Sequence, residues 1–523
     1  LWSVPQRYKP PKRGADPVVV DFMSRHAIPL EYELPRVDTK TFEERRVLEA
    51  LDVRKPLMTV QDYIQSWDVL SLLVACDREP IENILRGVDE TKSAGDPWRT
   101  TKGAVLKEMA KRGDSPVVWL SKQQNRDLVQ GLFMRHTKEE LREWLDDLVL
   151  KDPHSISGVE FFAGLLQGEY CSQFNEQLYT LGRKGETWFA PGMSFFHGEW
   201  DVLARYHQCE DDRVYLCWDF KTNNETHDYT SHRAMRWART VKWKGPILGE
   251  ERRVWDMDWD ALVSLPSGAV VPVHQLNSGS YNTTVANTLQ CRAKWCKIVS
   301  LMEEKVGCAM EVRKDKIAGD DGMTSFAGWQ RELFTAELAI QCAAELGMVL
   351  KCFSAPHISA AVFCSHAFVK VFGQYVAAPV SLPKVFASLA FPPLKAEATQ
   401  VLSRFVAQMI RIAPLPWAYA LVQQCCEEWV AHVPQGHRTR QFEAMLVHAR
   451  QGLRWWMLNV HLGHPEGSPE QRELAHKECP FQGGPGFPLF LRDQWLKARP
   501  QDVGNVSGGK PERVGVAPLK TQG

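Results

Sequence analysis

Apolar residues recur at three- and four-residue spacing from "TKTFEERRVLEALDV" to about Leu150. That period lays them along one helix face, so this part of the chain is predicted to be mostly helical. Between Tyr206 and about Val369 the period keeps changing. Short β-rich runs, "RVYLCWDF" and "AAVFCSHAFVKVFG", alternate with helical ones, "SHRAMRWARTV", "TVANTLQCRAKWCKIVSLMEE" and "GWQRELFTAELAIQCAAELG". After Pro379 helix dominates again, with "AEATQVLSRFVAQMIRI" and "RQFEAMLVHARQGLRWWMLNV" as strong periodic segments. The first ~35 residues alternate Pro with basic residues and read as an extended arm or surface loop. The tail from about Arg499 is rich in Gly, Pro and Lys and is expected to be disordered. No internal repeat is visible.

A chain of 523 residues is long for one core and suits a large, subdivided α+β fold. Lys+Arg and Asp+Glu are both 63, so any nucleic-acid enzyme here must confine its positive charge to a channel. The 13 scattered cysteines lack the dense spacing of a disulfide scaffold and favour a reducing compartment. No apolar run approaches the ~18 residues of a membrane span, and the basic, Pro-rich start is no secretory signal. A first residue of Leu rather than Met is expected of a trimmed chain or one released from a polyprotein.

The chemistry concentrates in three places. Gly319-Asp320-Asp321 follows a short apolar pair and reads either as a polar turn or as a carboxylate pair for a divalent cation. Asp219 ends the β-prone run "RVYLCWDF", where it either caps the next helix or joins that pair. Between them, Ser278-Gly279 forms a turn, and Thr283 and Asn287, four apart, share one face at a helix start. Each alone has an ordinary structural reading as a cap or loop.

Their order changes this. Asp219, then Ser278-Gly279 with Thr283, Asn287 and Thr288, then Gly319-Asp320-Asp321 resembles motifs A, B and C of viral RNA-dependent RNA polymerases, with the S-G-x-x-x-T-x-x-x-N-T pattern of motif B intact. "KSAGDPW" is similar to motif G, with Ser93, Gly95 and Pro97 guiding template. "APGMSFFHGEWDVLARYH" is similar to a segment of potyvirus-like and astrovirus-like polymerases. "ELGMVLKCF" resembles motif D with Lys351 in place. "VFCSHAFV" resembles the motif E hairpin, with Phe363, Cys364 and Ser365 at the primer end. The resemblance runs collinearly over roughly residues 90 to 370 and points to the picornavirus/potyvirus/astrovirus-like group.

The resemblance implies a right-hand architecture of helical fingers, antiparallel-sheet palm and helical thumb. It divides the chain into an arm and fingers at 1–205, palm at 206–235, a fingers insertion at 236–275, palm at 276–375, thumb at 376–498 and a tail at 499–523. It implies that Asp219, Asp320 and Asp321 bind two Mg²⁺ ions, which Mn²⁺ can replace, and that Lys351 protonates the leaving pyrophosphate. The implied partners are template and nascent RNA, nucleoside triphosphates and other viral replication proteins, in the host cytoplasm.

Two departures stand out. The second aspartate of motif A is replaced by Asn224, in a "DFKTNNETH" run that looks totivirus-like; Asn224 is expected to act on the sugar with Ser278, Gly279, Thr283 and Asn287, and Asp228 is a steric substitute. The Lys/Arg-rich motif F loop is shortened to "EWLDDLVLKDP", so triphosphate binding falls to Lys138, Arg142 and Lys151, although Lys138/Arg142 is equally an i,i+4 surface pair. Cys352, His357, Cys364 and His366 lie within fifteen residues, but their spacing matches no common zinc finger. The rival readings are a polymerase-fold protein that binds RNA without synthesis, and a reverse transcriptase, which motif B disfavours.

Overall fold

The run "RVYLCWDF" is apolar at nearly every position, as a strand covered on both faces must be. A computed structural model describes residues 14–30, 32–33, 42–43, 45–47, 49, 55–137, 142–143, 154–221, 223, 225–393, 395–450 and 454–462. In it Arg213–Phe220 is an inner strand of a four-stranded antiparallel sheet. The order is Leu350–Ala355, Arg213–Phe220, Asp321–Ala327, Lys314–Ala318. Side chains alternate across it with period two. Val214, Leu216, Trp218 and Phe220 enter a core with the helices Thr283–Val306 and Ala336–Glu345. Tyr215 and Cys217 face the other way, against Trp200, Leu203, Phe363 and Phe368. The 24-residue helix Thr283–Val306 stops at Gly307, whose φ of 79° suits the left-handed C-terminal turn.

A second sheet corrects the helical expectation for the segment up to Leu150. Leu132–Thr137 is a strand, antiparallel to Ser155–Val159 and parallel to Ala261–Ser264, which pairs in turn with Val270–Val273. The expected insertion at 236–275 thus supplies half of a sheet whose other half lies more than a hundred residues earlier, and no local period can announce such a pairing. A third sheet joins Val362–Phe363, His366–Val371 and Gln374–Pro379.

The C-terminal helices Leu382–Ala390, Ala398–Ile412, Pro416–His432, Arg440–Arg450 and Arg454–Leu462 share one core. The periodic segment expected around residues 440–460 is helical over Arg440–Arg450 and Arg454–Leu462, and residues 451–453 between them lie outside the described ones. The expected extended arm also needs correcting: Pro17–Arg25 is a helix. Asp16 caps it by accepting from the Val18 and Val19 N–H groups at 3.0 and 3.3 Å, and Pro17 suits its first turn. Its Val19, Phe22 and Met23 are buried in the C-terminal helical core. The tail at 499–523 lies outside the described residues, among which no helix is long and apolar enough to cross a membrane.

Candidate active site

Sheet register assembles the carboxylates. Asp219 is paired with Asp321 on one side and with Lys351 on the other. Asp321 pairs with Ala318, so Gly319-Asp320 is a two-residue hairpin turn. Gly319 has φ 65°, which glycine adopts without steric cost at the first turn position. Its N–H donates to Thr288 Oγ1 at 2.9 Å, and the Phe220 N–H donates to the Asp320 carbonyl at 3.2 Å. Helix, hairpin and central strand are thereby bonded to one another around the acidic residues. Gly322, next in the strand, faces Trp218 so closely that a Cβ would overlap the indole. Trp218 stacks on Trp295 at 4.6 Å. Beneath them the buried Asp315 accepts from Thr324 Oγ1 (2.7 Å), Arg313 Nε (2.8 Å), Trp295 Nε1 (3.2 Å) and Arg292. Burial alone would raise the Asp315 carboxyl, but Arg313 and Arg292 outweigh it and hold it below the usual carboxylate range.

The carboxyls at the hairpin behave oppositely. Asp219 and Asp321 are half-buried and Asp320 is exposed. Desolvation in the cleft and then repulsion from Asp219 raise Asp320. Desolvation followed by Asp219 and Asp320 pushes Asp321 up to about 7. Lys351 Nζ stands 3.4 Å from Asp219 Oδ2. Among the described residues no three His, Cys, Asp or Glu side chains converge as a ready metal cage. Mg²⁺ commonly takes only one or two carboxylates and completes its octahedron with water and substrate phosphate, so a pair of neighbouring hard oxygen donors fits that ion.

The loop before helix Thr283–Val306 is fixed from below. Asp258 accepts from Asn282 Nδ2 (2.8 Å), Gln167 Nε2 (2.9 Å) and Ser280 Oγ. The Ser278 hydroxyl accepts from the Ser157 N–H at 3.0 Å, and Gly279 lies so close to the Ser157 carbonyl that no Cβ fits. The Thr283 hydroxyl donates to the carbonyls of Asn277 and Ser280 at 2.8 and 3.0 Å. Ser278 and Thr283 thus shape the loop, the ordinary structural reading of a turn at a helix start. Asn287 Oδ1 accepts from Asn223 Nδ2 at 3.0 Å. Asn224 lies outside the described residues; its neighbour Asn223 makes the link between the motif A turn and the helix. The Asp228 side chain caps helix Tyr229–Lys242 in a reciprocal pair with Ser231.

Ser93 Oγ accepts from the Gly95 N–H at 3.1 Å, and Gly95, with φ 73°, abuts the Val159 backbone; Pro97 is exposed. The "KSAGDPW" turn therefore leans on the same strand, Ser155–Val159, to which the Ser278 loop is bonded. Phe363 is buried, and Cys364 and Ser365 form a tight turn with φ of 49° and 59°. This turn faces the hairpin: after burial, Asp321 and Asp320 raise the Cys364 thiol. Arg142 is the register partner of Glu33 in a separate two-stranded sheet, and Lys138 and Lys151 lie outside the described residues. Basic side chains the sequence reading did not single out lie near the cleft or the turn after Asp219. His154 acts electrostatically on Asp320, and Lys384 on Asp321. Lys55 Nζ donates to the carbonyls of Glu225 and His227, and Arg46 pairs with the Glu225 carboxylate at 2.5 Å, tying the N-terminal region to the turn after Asp219. His154 and Lys384 have no basic neighbour in sequence, and Arg46 and Lys55 stand only in the pairs Arg45-Arg46 and Arg54-Lys55, too short a signal to mark them.

No protein-family model and no curated protein sequence matches the chain. Solved structures do. The RNA-dependent RNA polymerase of a human picorbirnavirus aligns over 88% of this chain and 88% of its own, with TM-score 0.60 and 12% identity. An insertion-loop deletion mutant of that enzyme aligns over 80% of this chain and 82% of its own, with TM-score 0.58 and 12% identity. The chain has the right-hand polymerase fold of these proteins.

Proposed function

We propose that this protein is a viral RNA-dependent RNA polymerase that extends an RNA 3′ end from nucleoside triphosphates. The observation that carries the reading is the register pairing of Asp219 with Asp321 beside a hairpin held by Thr288, within a polymerase fold. Asp219 and Asp320 would hold two Mg²⁺ ions, with Asp321 assisting; Mn²⁺ is the natural substitute. When bound, the ions supply the charge that activates the attacking hydroxyl and stabilises the departing pyrophosphate. The chain's own work is mainly placement. The Gly319 turn and Asp258-braced loop fix the reacting groups, and Lys351, released from Asp219, delivers the proton to the leaving group. Lys384 supplies positive charge at the cleft in place of a longer basic loop. Template and nascent RNA, other replication proteins and a cytoplasmic setting belong to the same proposal. So do the palm, fingers and thumb limits given above and placement in the picornavirus/potyvirus/astrovirus-like group.

A second reading, RNA binding without synthesis, has one observation in its favour: Lys351 already occupies an Asp219 oxygen. Primer extension with Mg²⁺ on an RNA template separates the two. The unmodified protein is expected to elongate, and Asp320→Ala to abolish elongation while keeping salt-sensitive RNA binding. Binding without extension across metals and templates rejects the polymerase reading.

A further inference from the structure

Helix Tyr229–Lys242 begins at the Asp228 cap, after the turn that follows Asp219. It carries Arg233, Arg236, Arg239 and Lys242 and not one Asp or Glu, in a chain whose acids and bases are equal in number. Three of these cations are engaged within the protein. Arg236 Nη1 donates to Asp256 at 3.2 Å, Arg239 Nη2 lies 3.7 Å from Asp258, and Lys242 Nζ donates to the Leu73 carbonyl at 2.9 Å. Arg233 is exposed, and among the described residues it has no carboxylate partner.

One face of this helix is closed and the other open. Ala234, Met235 and Ala238 enter the core shared by the central sheet and helix Thr283–Val306. Tyr229, Arg233, Trp237 and Val241, each four residues from the next, form a continuous stripe on the outside. Tyr229 is 55% exposed, Trp237 39% and Val241 48%, a line of large side chains that a surface rarely leaves open without use. The Arg233 guanidinium lies 5.8 Å from the Tyr229 ring centre, so a cation sits in the middle of the stripe. The rings continue sideways. Tyr229 meets Trp259 at 6.1 Å, and Trp259 is stacked between the buried His232, at 5.7 Å, and the exposed His274, at 5.1 Å. Trp259 follows Asp258, the brace of the loop before helix Thr283–Val306, and His274 stands four residues before Ser278. The row of rings thus runs from the outer face of the helix to the loop that shapes the cleft.

A guanidinium without a counter-ion at the centre of the stripe disfavours an apolar partner, which would bury it unpaired. Single-stranded RNA supplies both missing halves: flat base faces for the rings and a phosphate for the arginine. A duplex keeps its base faces stacked on one another. We propose that the outer face of helix Tyr229–Lys242 is a second contact for single-stranded RNA, outside the carboxylate hairpin, in which Tyr229 and Trp237 stack on bases and Arg233 binds the phosphate between them. The inference deepens the polymerase reading: unpaired RNA at the cleft is held again beyond the Ser278 loop, so affinity grows with the length of the single strand. Base identity is immaterial to it, because every base has a face to stack.

Arg233→Gln and Trp237→Ala change exposed side chains only, and either carries the test if the other fails to fold. Fluorescence anisotropy compares two labelled RNAs, an unstructured single strand of about 30 nucleotides, longer than one ordinary single-strand site, and a hairpin primer–template with a short overhang. Each variant is expected to bind the long strand about tenfold more weakly, the worth of roughly one stacked base or one phosphate contact. Arg233→Gln should also flatten the dependence of log affinity on log salt by about 0.7, the share of one phosphate on a single strand. Affinity for the hairpin, and single-nucleotide addition to it, should stay as in the unmodified protein. Unchanged binding of the long strand, or an equal loss on both RNAs, overturns the proposal. So does a loss confined to vesicles containing phosphatidylserine, which would make the stripe a membrane contact. If the unmodified protein adds no nucleotide yet both variants lose the long strand, the polymerase reading fails and the surface stands. If it elongates and both variants bind as it does, the surface fails alone.

Discussion

Lys316, at the middle of strand Lys314–Ala318, is fully buried. Burial lowers its ammonium from the ordinary 10.5 to about 7. The folded protein therefore binds fewer protons than the unfolded chain between those values, and stability rises with pH across that window. Below about 7 the full cost of the buried charge stands, ~5 kcal/mol at about 1.36 kcal/mol for each tenfold change in proton affinity. The Gly185 carbonyl, 2.8 Å from Nζ, and the Tyr206 ring, 4.2 Å away, hold part of the charge, so that figure is a ceiling. Lys316→Met keeps the apolar stem and removes the titration. Measured against this variant, the wild type should gain ~2.5 kcal/mol of relative stability between about pH 6.5 and pH 9. Denaturant unfolding followed by tryptophan fluorescence, with both proteins run at each pH, reads the difference and cancels every other titrating group. A difference constant to within ~0.5 kcal/mol, or one of opposite slope, refutes the assignment of a strained buried charge to Lys316.

Gly279→Ala places a methyl against the Ser157 carbonyl and must push the Ser278 loop off its strand; elongation should fall by about a hundredfold, more than RNA affinity does, as primer extension and filter binding would show. Thr288→Val takes away the acceptor of the Gly319 N–H and should cost ~1 kcal/mol of stability by thermal unfolding, with a larger fractional loss of elongation than of binding. Asp16→Ala removes both the helix cap and the partner of Trp429 Nε1, 3.0 Å away, and should cost ~1–2 kcal/mol, read as faster proteolysis of the C-terminal helices. In the metal-free protein, Asp321 stays protonated up to about 7, so the folded state holds a proton that the unfolded chain has released, and stability should fall as pH rises from the ordinary carboxylate range to that value; added Mg²⁺ should offset more of the loss at pH 8 than at pH 6, by thermal midpoint.

The sheet that brings Asp219, Asp320 and Asp321 together was legible because an apolar run such as "RVYLCWDF" has few ways to be buried and Gly319 marks a turn. The strand register that sets Asp219 beside Asp321 follows from that run and the glycine turn. What escaped reading was non-local or one residue wide. Leu132–Thr137 becomes a strand only by pairing with Ala261–Ser264. Nothing local tells Asn223 from Asn224 until the turn after Asp219 folds over the long helix. Asp16-Pro17 was a readable helix start, masked by the prolines before it.

The helix Pro17–Arg25 has a consequence for how the chain folds. Asp16 meets Trp429 and Arg25 meets Glu428, contacts that close a loop of some four hundred residues. Closing a loop grows costlier only as the logarithm of its length, but the search for it is slow. During synthesis the first helix emerges long before its partners and must wait, Phe22 uncovered, until the ribosome has passed Trp429. The C-terminal helical layer is thus completed by a helix made some four hundred residues earlier, so it cannot assemble before Trp429 has been synthesised.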